Sequence, residues 1–261
     1  MTDRLAVVTG ASGGIGLEIV KALSADGFYV LGQFRSSHAG AERLKETLGA
    51  SNAGGELVRA DLSSAAGITH LVDAVHRRAS ESHLQVGALV NNAAKMLGPS
   101  FFEATSESFD DYVAVNTKAP FFLAQQLANH MGAGGSIVNI SSASAHIASA
   151  GDIIYAMTKA ALESLTRNMA EALAPRGVRV NAVMPGFTDN GHPAFADDAA
   201  VTYMGSLSML GGIAAPAAIA DAVSFLVSDK AYRTTGAVLD VSGGMSLHPR
   251  PHRQSSVRDL L

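Results

Sequence analysis

The sequence contains no cysteine, so the chain forms neither disulfide bonds nor thiolate metal sites, and no metal site is predicted. The absence of cysteine is compatible with a reducing compartment, and we expect a cytoplasmic protein. Charged residues are also sparse, at 16% of the chain, and the formal net charge is -4. No basic stripe is available to neutralise phosphates, so we expect no nucleic-acid partner.

Long apolar runs are missing as well, because no stretch reaches the roughly 18 uncharged residues that a membrane span needs. Met1 leads into polar residues and then directly into a short apolar run, unlike a targeting segment. What the chain does have is 48% hydrophobic residues over 261 positions, enough for a sizeable core. We therefore predict a soluble, unprocessed protein with one catalytic domain over residues 1–247 and no membrane partner.

Short apolar runs alternate with segments of helical periodicity, an order typical of α/β proteins with a parallel sheet. Strands are predicted at residues 5–9, 28–34, 56–60, 87–90, 135–142, 178–184 and 235–241. Helices are predicted at residues 17–25, 38–48, 109–131 and 217–227, with others ending near residues 78 and 174. Residues 187–215 lack a clear period and are predicted to form an irregular lid over the substrate, and residues 248–261 a peripheral tail.

A glycine-rich turn follows the first predicted strand. Gly10, Gly14 and Gly16 give the pattern Gly-x-x-x-Gly-x-Gly, and helical periodicity begins directly after it. A strand, a glycine turn and a helix in this order direct backbone N–H groups and a helix N-terminus at a pyrophosphate. A glycine cluster alone is more often a plain loop, but its place at the first strand-to-helix junction predicts dinucleotide binding.

The residues after the second predicted strand indicate which dinucleotide is bound. An enzyme selective for NAD would carry Asp or Glu there, to hold the ribose 2'-hydroxyl. This chain has Arg35, Ser36 and Ser37 instead. Arg35 can pair with a 2'-phosphate and the two serines can donate hydrogen bonds to it, so NADPH is predicted. The alternative is that Arg35 is an ordinary solvated loop residue.

Polar residues also follow the third and fourth predicted strands. Asp61 can accept a hydrogen bond from an adenine amino group, or it can be the N-cap of the next helix. Asn91 and Asn92, followed by Ala93, indicate side-chain bonds that fix the strand end and a small floor under the cofactor ribose.

The strongest catalytic signal is the pair Tyr155 and Lys159. Four residues apart on a helix, they lie on one face, and the ammonium can then lower the pKa of the phenol and make it a usable acid. Such a pair also arises by chance. Its context favours function, because the apolar run 135–142 ends in Ser142 and delivers that hydroxyl to the edge of the sheet where ligands bind.

Two further features have alternative interpretations. Asn116 lies inside a predicted helix, where its amide either satisfies a kink in the backbone or holds a water that relays protons from Lys159. Several apolar residues near the lid either form the wall of a substrate pocket or are ordinary core: Met184, Phe187, Phe195, Tyr203, Met204 and Met209.

Taken together, residues 4–247 resemble the short-chain dehydrogenase/reductase family. The resemblance depends on a set of residues whose order and spacing are specific: Thr9-Gly10-x-x-x-Gly14-x-Gly16, Asn91-Asn92-Ala93-Ala94, Asn116, Ser142, Tyr155-x-x-x-Lys159 and Pro185-Gly186. It implies a single-domain Rossmann fold, a doubly wound seven-stranded parallel sheet in the order 3-2-1-4-5-6-7, and hydride transfer between NAD(P) and a carbonyl or alcohol. The resemblance to the 3-oxoacyl-[acyl-carrier-protein] reductase branch of this family is weaker than the resemblance to the family as a whole.

The resemblance also implies roles for individual residues. Tyr155 donates the proton to a small-molecule ketone, Ser142 bonds the carbonyl oxygen, Lys159 holds the ribose and lowers the pKa of Tyr155, and Asn116 positions the relay water. The expected cofactor-binding residues are Gly10, Ser12, Gly14, Ile15, Gly16, Arg35, Ser36, Asp61, Leu62, Asn92, Ala93, Tyr155, Lys159, Pro185, Gly186 and Thr188.

The expected partners are a carbonyl substrate, which can be linked to a carrier protein or coenzyme A, and further copies of this chain in a homotetramer or homodimer. The alternatives are an alcohol, sugar or steroid dehydrogenase that uses the same residues, and a non-catalytic NADPH-binding scaffold. Three departures from the family pattern stand out. Ala94 replaces the commoner glycine, Asn190 stands where the family often has threonine while Thr188 comes two positions earlier, and the tail extends past the usual end.

Overall fold

The computed structural model describes residues 4–96, 98–148, 151–191 and 193–247. Within them lies one seven-stranded sheet in the order β3-β2-β1-β4-β5-β6-β7, and every neighbouring pair of strands is parallel. The predicted doubly wound fold and strand order are therefore confirmed. The expectations for the tail at 248–261 lie outside the described residues.

The strands are β1 Arg4–Val8, β2 Tyr29–Phe34, β3 Gly55–Arg59, β4 Gln85–Asn91, β5 Ser136–Ile140, β6 Arg179–Pro185 and β7 Val238–Val241. The α-helices are α1 Gly14–Ala25, α2 His38–Gly49, α3 Ala65–Glu81, α4 Ser106–Val113, α5 Ala119–Leu127, α6 Ile153–Leu173, α7 Asp198–Ser206 and α8 Pro216–Val227. Most predicted elements are present, with ends shifted by a few residues.

Strand β1 shows how the sheet is buried on both faces. Successive side chains on a strand point to opposite faces, so Leu5 and Val7 join one apolar cluster and Ala6 and Val8 join the other. All four side chains are fully buried. The first cluster includes residues of α3 and α5, and the second includes residues of α1, α2 and α8. Apolar runs without polar alternation are what such a doubly covered parallel sheet requires.

One prediction of local structure is refined and another is wrong. The expected continuous helix over 109–131 is present as α4 and α5, which are continuous through a π-helical turn at Ala114–Lys118 that contains Asn116. The expected irregular segment 187–215 contains the nine-residue helix α7, whose N-cap Asp197 accepts a hydrogen bond from the Ala200 N–H. Among the described residues, no helix is long and apolar enough to cross a lipid bilayer.

Candidate active site

One large cleft, with a cavity volume of about 770 Å³, lies at the carboxyl ends of the central strands. In a parallel sheet all strands deliver their following loops to this edge, so residues far apart in sequence meet there. The cleft is lined by the glycine turn after β1, by residues after β2, β3, β4, β5 and β6, and by the start of α6. Every predicted catalytic or cofactor-binding residue lines it except Asn116.

The glycine turn is held from below by Gln33, a buried glutamine of β2. Its carbonyl oxygen Oε1 accepts a hydrogen bond from the Gly10 N–H at 2.9 Å, and its amide donates to the Ala60 carbonyl at 2.7 Å. Gln33 is only 2% exposed, so these bonds compensate for burying the amide. Gly10 itself has φ of +63°, a conformation that glycine adopts without strain.

The same turn is held from the side by Thr9 and Asn92. The Asn92 amide donates to the carbonyls of Thr9 and Gly10, at 3.0 and 3.1 Å. The Thr9 hydroxyl accepts hydrogen bonds from the N–H groups of Asn92 and Ala93, each at 3.0 Å. Next to them, the Asn91 amide donates to Asn139 of β5 at 2.8 Å. The asparagines therefore tie the end of β4 to the neighbouring strands.

The residues after β2 present a cation to the cleft. Arg35 and Ser36 are exposed and line it, while the Ser37 side chain caps α2 by accepting a hydrogen bond from Gly40 N–H at 3.1 Å. Arg59, at the end of β3, donates from Nε to the Arg35 carbonyl at 3.1 Å. The Arg35 guanidinium is therefore the cation that this part of the cleft offers to a 2'-phosphate.

Asp61 lines the cleft and is not a helix cap. Its Oδ1 accepts hydrogen bonds from the backbone and the hydroxyl of Ser63, at 3.0 and 2.8 Å. These bonds lower the pKa of Asp61, with a smaller lowering effect from Arg35. The N-cap of α3 is Ser64, which accepts from Gly67 N–H. The N-cap alternative is thus wrong, and the adenine contact stays a prediction.

Ser142, Tyr155 and Lys159 meet at the centre of the cleft. Lys159 is buried, its Nζ donates to the Ile140 carbonyl at 2.7 Å, and it lies 5.5 Å from the centroid of the Tyr155 ring. The Ser142 hydroxyl lines the cleft with the Tyr155 phenol, donates to the Ser144 hydroxyl at 3.2 Å and accepts from Ser144 N–H at 3.2 Å. A carbonyl oxygen placed between the serine and tyrosine hydroxyls would meet two hydrogen-bond donors.

The pKa of Tyr155 does not follow the expectation. Although the ring stays partly open to the cleft, burial raises its pKa to about 12, the Ser142 hydroxyl lowers it, and Asp152 and Tyr112 raise it further. Burial also lowers the pKa of Lys159 to about 8. The predicted lowering by Lys159 is therefore not seen, because burial is the largest influence on the pKa of each group. At neutral pH, Tyr155 is a phenol that still carries its proton.

Asn116 lies behind the cleft and acts on the backbone. Its Oδ1 accepts from Lys95 N–H at 2.8 Å, and its amide donates to the Lys95 carbonyl and the Thr158 hydroxyl, each at 3.0 Å. The Thr158 hydroxyl in turn donates to the Tyr155 carbonyl at 2.8 Å. Both amide protons are therefore used by Lys95 and Thr158, not by backbone groups of the helix that contains Asn116 as the kink alternative expected. The side chain cannot donate to a relay water without breaking this network.

The apolar residues assigned to the lid divide into two groups. Phe187, Phe195 and Met204 line the cleft, as expected for a substrate wall. The other three do not line it: Met184 is buried within β6, and Tyr203 and Met209 are 66% and 59% exposed.

The chain matches the family model described as "Enoyl-(Acyl carrier protein) reductase" over residues 10–246. An uncharacterised oxidoreductase of Methylorubrum extorquens is 37% identical over 248 residues, which cover 94% of this chain and 98% of that protein. An L-xylulose reductase of Mesocricetus auratus is 36% identical over 249 residues, covering 94% and 97%. The crystal structure of the angucycline C-6 ketoreductase LanV with bound NADP is similar at a TM-score of 0.89 and 37% identity, covering 95% and 97%.

This chain belongs to the short-chain dehydrogenase/reductase family. It is therefore an enzyme, an oxidoreductase, and the Rossmann fold expected from the resemblance is the one observed. Thr188 and Asn190, which mark a departure from the family pattern, both line the cleft. The Thr188 hydroxyl donates to the Gly186 carbonyl at 3.1 Å, whereas Asn190 lies directly against Gly14 of the glycine turn.

The cleft has the shape and chemistry that a dinucleotide of this family requires. A methyl group at Gly16 would collide with the Gly10 carbonyl and the Asn92 amide, so only glycine allows the turn to close beside the first turn of α1. Beyond this turn, the walls of the cleft carry the guanidinium of Arg35, the carboxylate of Asp61, the amide of Asn92 and the ammonium group of Lys159. These residues fit NADP(H).

Sequence reasoning missed two polar residues that bear on the site. Gln33 supports the glycine turn, and its signal was a polar side chain inside an otherwise apolar strand. Asp152 lines the cleft three residues before Tyr155, and its signal was a carboxylate one helical turn from the expected acid.

Proposed function

We propose that this enzyme reduces a ketone to a secondary alcohol with NADPH as the cofactor. The observation that carries the proposal is the placement of Tyr155, Ser142 and Lys159 around one point of a cleft whose other end carries Arg35. The NADP-bound ketoreductase that the chain resembles supports the same reading.

The cofactor contacts are proposed as follows. The turn Gly10–Gly16 and the first turn of α1 hold the pyrophosphate, Arg35 and Ser36 the 2'-phosphate, and Lys159 the nicotinamide ribose. The remaining contacts come from residues that line the cleft between these points: Asp61, Leu62, Asn92, Ala93, Pro185, Gly186 and Thr188. When bound, NADPH supplies a hydride for the carbonyl carbon.

Residues of this chain donate the proton to the substrate and stabilise the negative charge that develops on its carbonyl oxygen. Tyr155 holds a proton at neutral pH because burial raises its pKa to about 12, and it donates that proton to the carbonyl oxygen. Ser142 donates a hydrogen bond to the same oxygen as negative charge develops on it. Lys159, with a pKa of about 8, still carries a positive charge at pH 7 and favours that charge development.

The test is NADPH consumption with a panel of ketones: an acetoacetyl thioester, cyclic and aromatic ketones, ketoses and steroids. We expect at least one class to be reduced, and reduction of none would contradict the proposal. An acyl thioester as the preferred substrate would support the 3-oxoacyl reductase branch.

A sugar reductase or dehydrogenase is the second candidate, favoured by the similarity to L-xylulose reductases. It uses the same residues, so the substrate panel separates the two. A ketose preferred by more than about tenfold in kcat/KM would establish it.

A further inference from the structure

Asp152 stands at the N-cap position of α6 but does not cap that helix. Its backbone has φ of -149° and ψ of 38°, and its side chain makes no hydrogen bond to the first turn. An aspartate at this position ordinarily accepts such a bond, as Ser64 and Thr105 do at the starts of α3 and α4. The carboxylate of Asp152 instead lines the active-site cleft.

One of its two oxygens is used by the protein. Oδ1 accepts a hydrogen bond from Gly98 N–H at 2.8 Å, which joins the loop after β4 to the start of α6 across the cleft. Among the described residues, Oδ2 accepts no hydrogen bond. The nearby Tyr112 hydroxyl does not supply one, because it donates to the Met96 carbonyl at 2.9 Å.

Asp152 also lies one helical turn before Tyr155, and both residues line the cleft. The charge of Asp152 raises the pKa of both Tyr155 and Tyr112, and burial raises its own pKa. Apolar side chains that share the cleft, such as Met96, Val115 and Phe187, cannot bond to Oδ2. A partly buried acceptor with no protein donor gains most from a donor that the substrate brings.

The chemistry of the group defines the donor. A carboxylate only accepts hydrogen bonds, and it repels a second carboxylate or a phosphate. A neutral hydroxyl suits a partly buried site better than an ammonium group, because it costs less to remove from water. We propose that Asp152 accepts a hydrogen bond from a hydroxyl group of the substrate, so that the enzyme prefers hydroxyketones. This inference rests on the proposed ketone reduction.

The test compares ketones whose hydroxyl group is free or methylated: hydroxyacetone with methoxyacetone, and meta-hydroxyacetophenone with meta-methoxyacetophenone. The wild-type enzyme is expected to prefer the hydroxyl member of at least one pair. Asp152→Asn retains an acceptor for Gly98 but loses the charge. It should lower kcat/KM for the hydroxyl member about 10- to 100-fold more than for its methoxy partner, mainly through KM.

Asp110→Asn is the matched control, because Asp110 is exposed on α4, and it should keep the wild-type preference. NADPH binding by Asp152→Asn, measured by fluorescence, shows whether the variant is folded. If Asp152→Asn binds NADPH but lowers both members of a pair equally, or neither, the role of Asp152 is wrong while ketone reduction stands. A wild-type preference for methoxyketones also overturns it. If the wild type reduces no ketone, the proposed function fails first.

Discussion

Tyr155 and Lys159 both lie where burial opposes their charged forms. Burial raises the pKa of the phenol to about 12 and lowers the pKa of the lysine to about 8. A reductase needs a protonated tyrosine, so the raised pKa suits the proposed direction. The sequence shows the spacing of this pair but not the depth at which it is buried, which is why the pKa of Tyr155 was predicted in the wrong direction.

Tyr155→Phe should bind NADPH with an affinity close to that of the wild type and lose turnover by at least a hundredfold. The substitution removes only the hydroxyl, and a general acid contributes about 10²- to 10⁴-fold. Steady-state kinetics and NADPH titration measure the two effects. Tyr232→Phe changes an exposed tyrosine and should leave both unchanged. Turnover near the wild-type rate would remove Tyr155 from the role of acid.

Lys159→Met should be inactive but more stable, by about 2 kcal/mol at neutral pH. Removing the buried charge stabilises the fold by about 3 kcal/mol, and losing the hydrogen bond to Ile140 costs about 1 kcal/mol. Lysine titrates at 10.5 in the unfolded chain and at about 8 here. Below pH 8 the lysine is protonated in both the folded and the unfolded state, so the folded state is destabilised by the full cost of burying its charge. That cost falls as pH rises from 8 to 10.5, because the folded state releases its proton first.

Urea unfolding at about pH 7 and about pH 9.5 measures this difference in stability, which should shrink at the higher pH. Lys118→Met is the control, because Lys118 is exposed. A Lys159→Met variant less stable than the wild type at neutral pH would show that the bond to Ile140 outweighs the cost of the buried charge.

At the scale of elements, the junction of β2 and α2 is expected to select the cofactor. Arg35→Asp should raise the Kd for NADPH about 10- to 100-fold and change the Kd for NADH far less. It removes a charge-assisted bond to the 2'-phosphate and adds repulsion. Fluorescence titration with both cofactors measures this. Arg43→Asp, on an exposed position of α2, should change neither. Equal wild-type affinities for NADPH and NADH would contradict the selection.

The elements also show what periodicity can and cannot predict. Seven apolar runs and their flanking turns were enough to predict a parallel sheet covered on both faces, whereas the strand order came from the family resemblance. The π-helical turn between α4 and α5 was not predicted because it leaves the chain helical on both sides and carries no signal in the sequence pattern. Helix α7 was missed because nine residues with a glycine near the end carry too little periodic signal.

The sequence predicted which residues line the cleft better than it predicted the contacts that their side chains make. The glycine turn, Ser142, Tyr155 and Lys159 were found because their spacing is specific, and they line one cleft. Asn116 was placed in the site by the resemblance, yet its side chain bonds to Lys95 and Thr158 outside the cleft. Side-chain direction depends on tertiary contacts that no local pattern encodes.

At the scale of the whole molecule, the family resemblance predicts a homotetramer or homodimer built on the long helices. Phe121, on α5, is 40% exposed, and Phe109, on α4, is 42% exposed. Light scattering should give a mass two or four times that of the 26.8 kDa chain. Phe121→Glu should shift the mass downward because it places a charge in an apolar contact, whereas Lys45→Glu, exposed on α2, should not. A monomeric wild type would exclude the assembly.

The support of the glycine turn by Gln33, Thr9 and Asn92 has a consequence for how a ligand is captured. Their bonds already hold the loop in one conformation before the proposed pyrophosphate contact is made. Docking then requires little additional ordering of the main chain, so less of the interaction energy is lost to restricting its motion. Affinity should therefore depend mainly on the groups that touch the ligand, and redesign of this end of the pocket can exchange those groups while the receptor keeps its form.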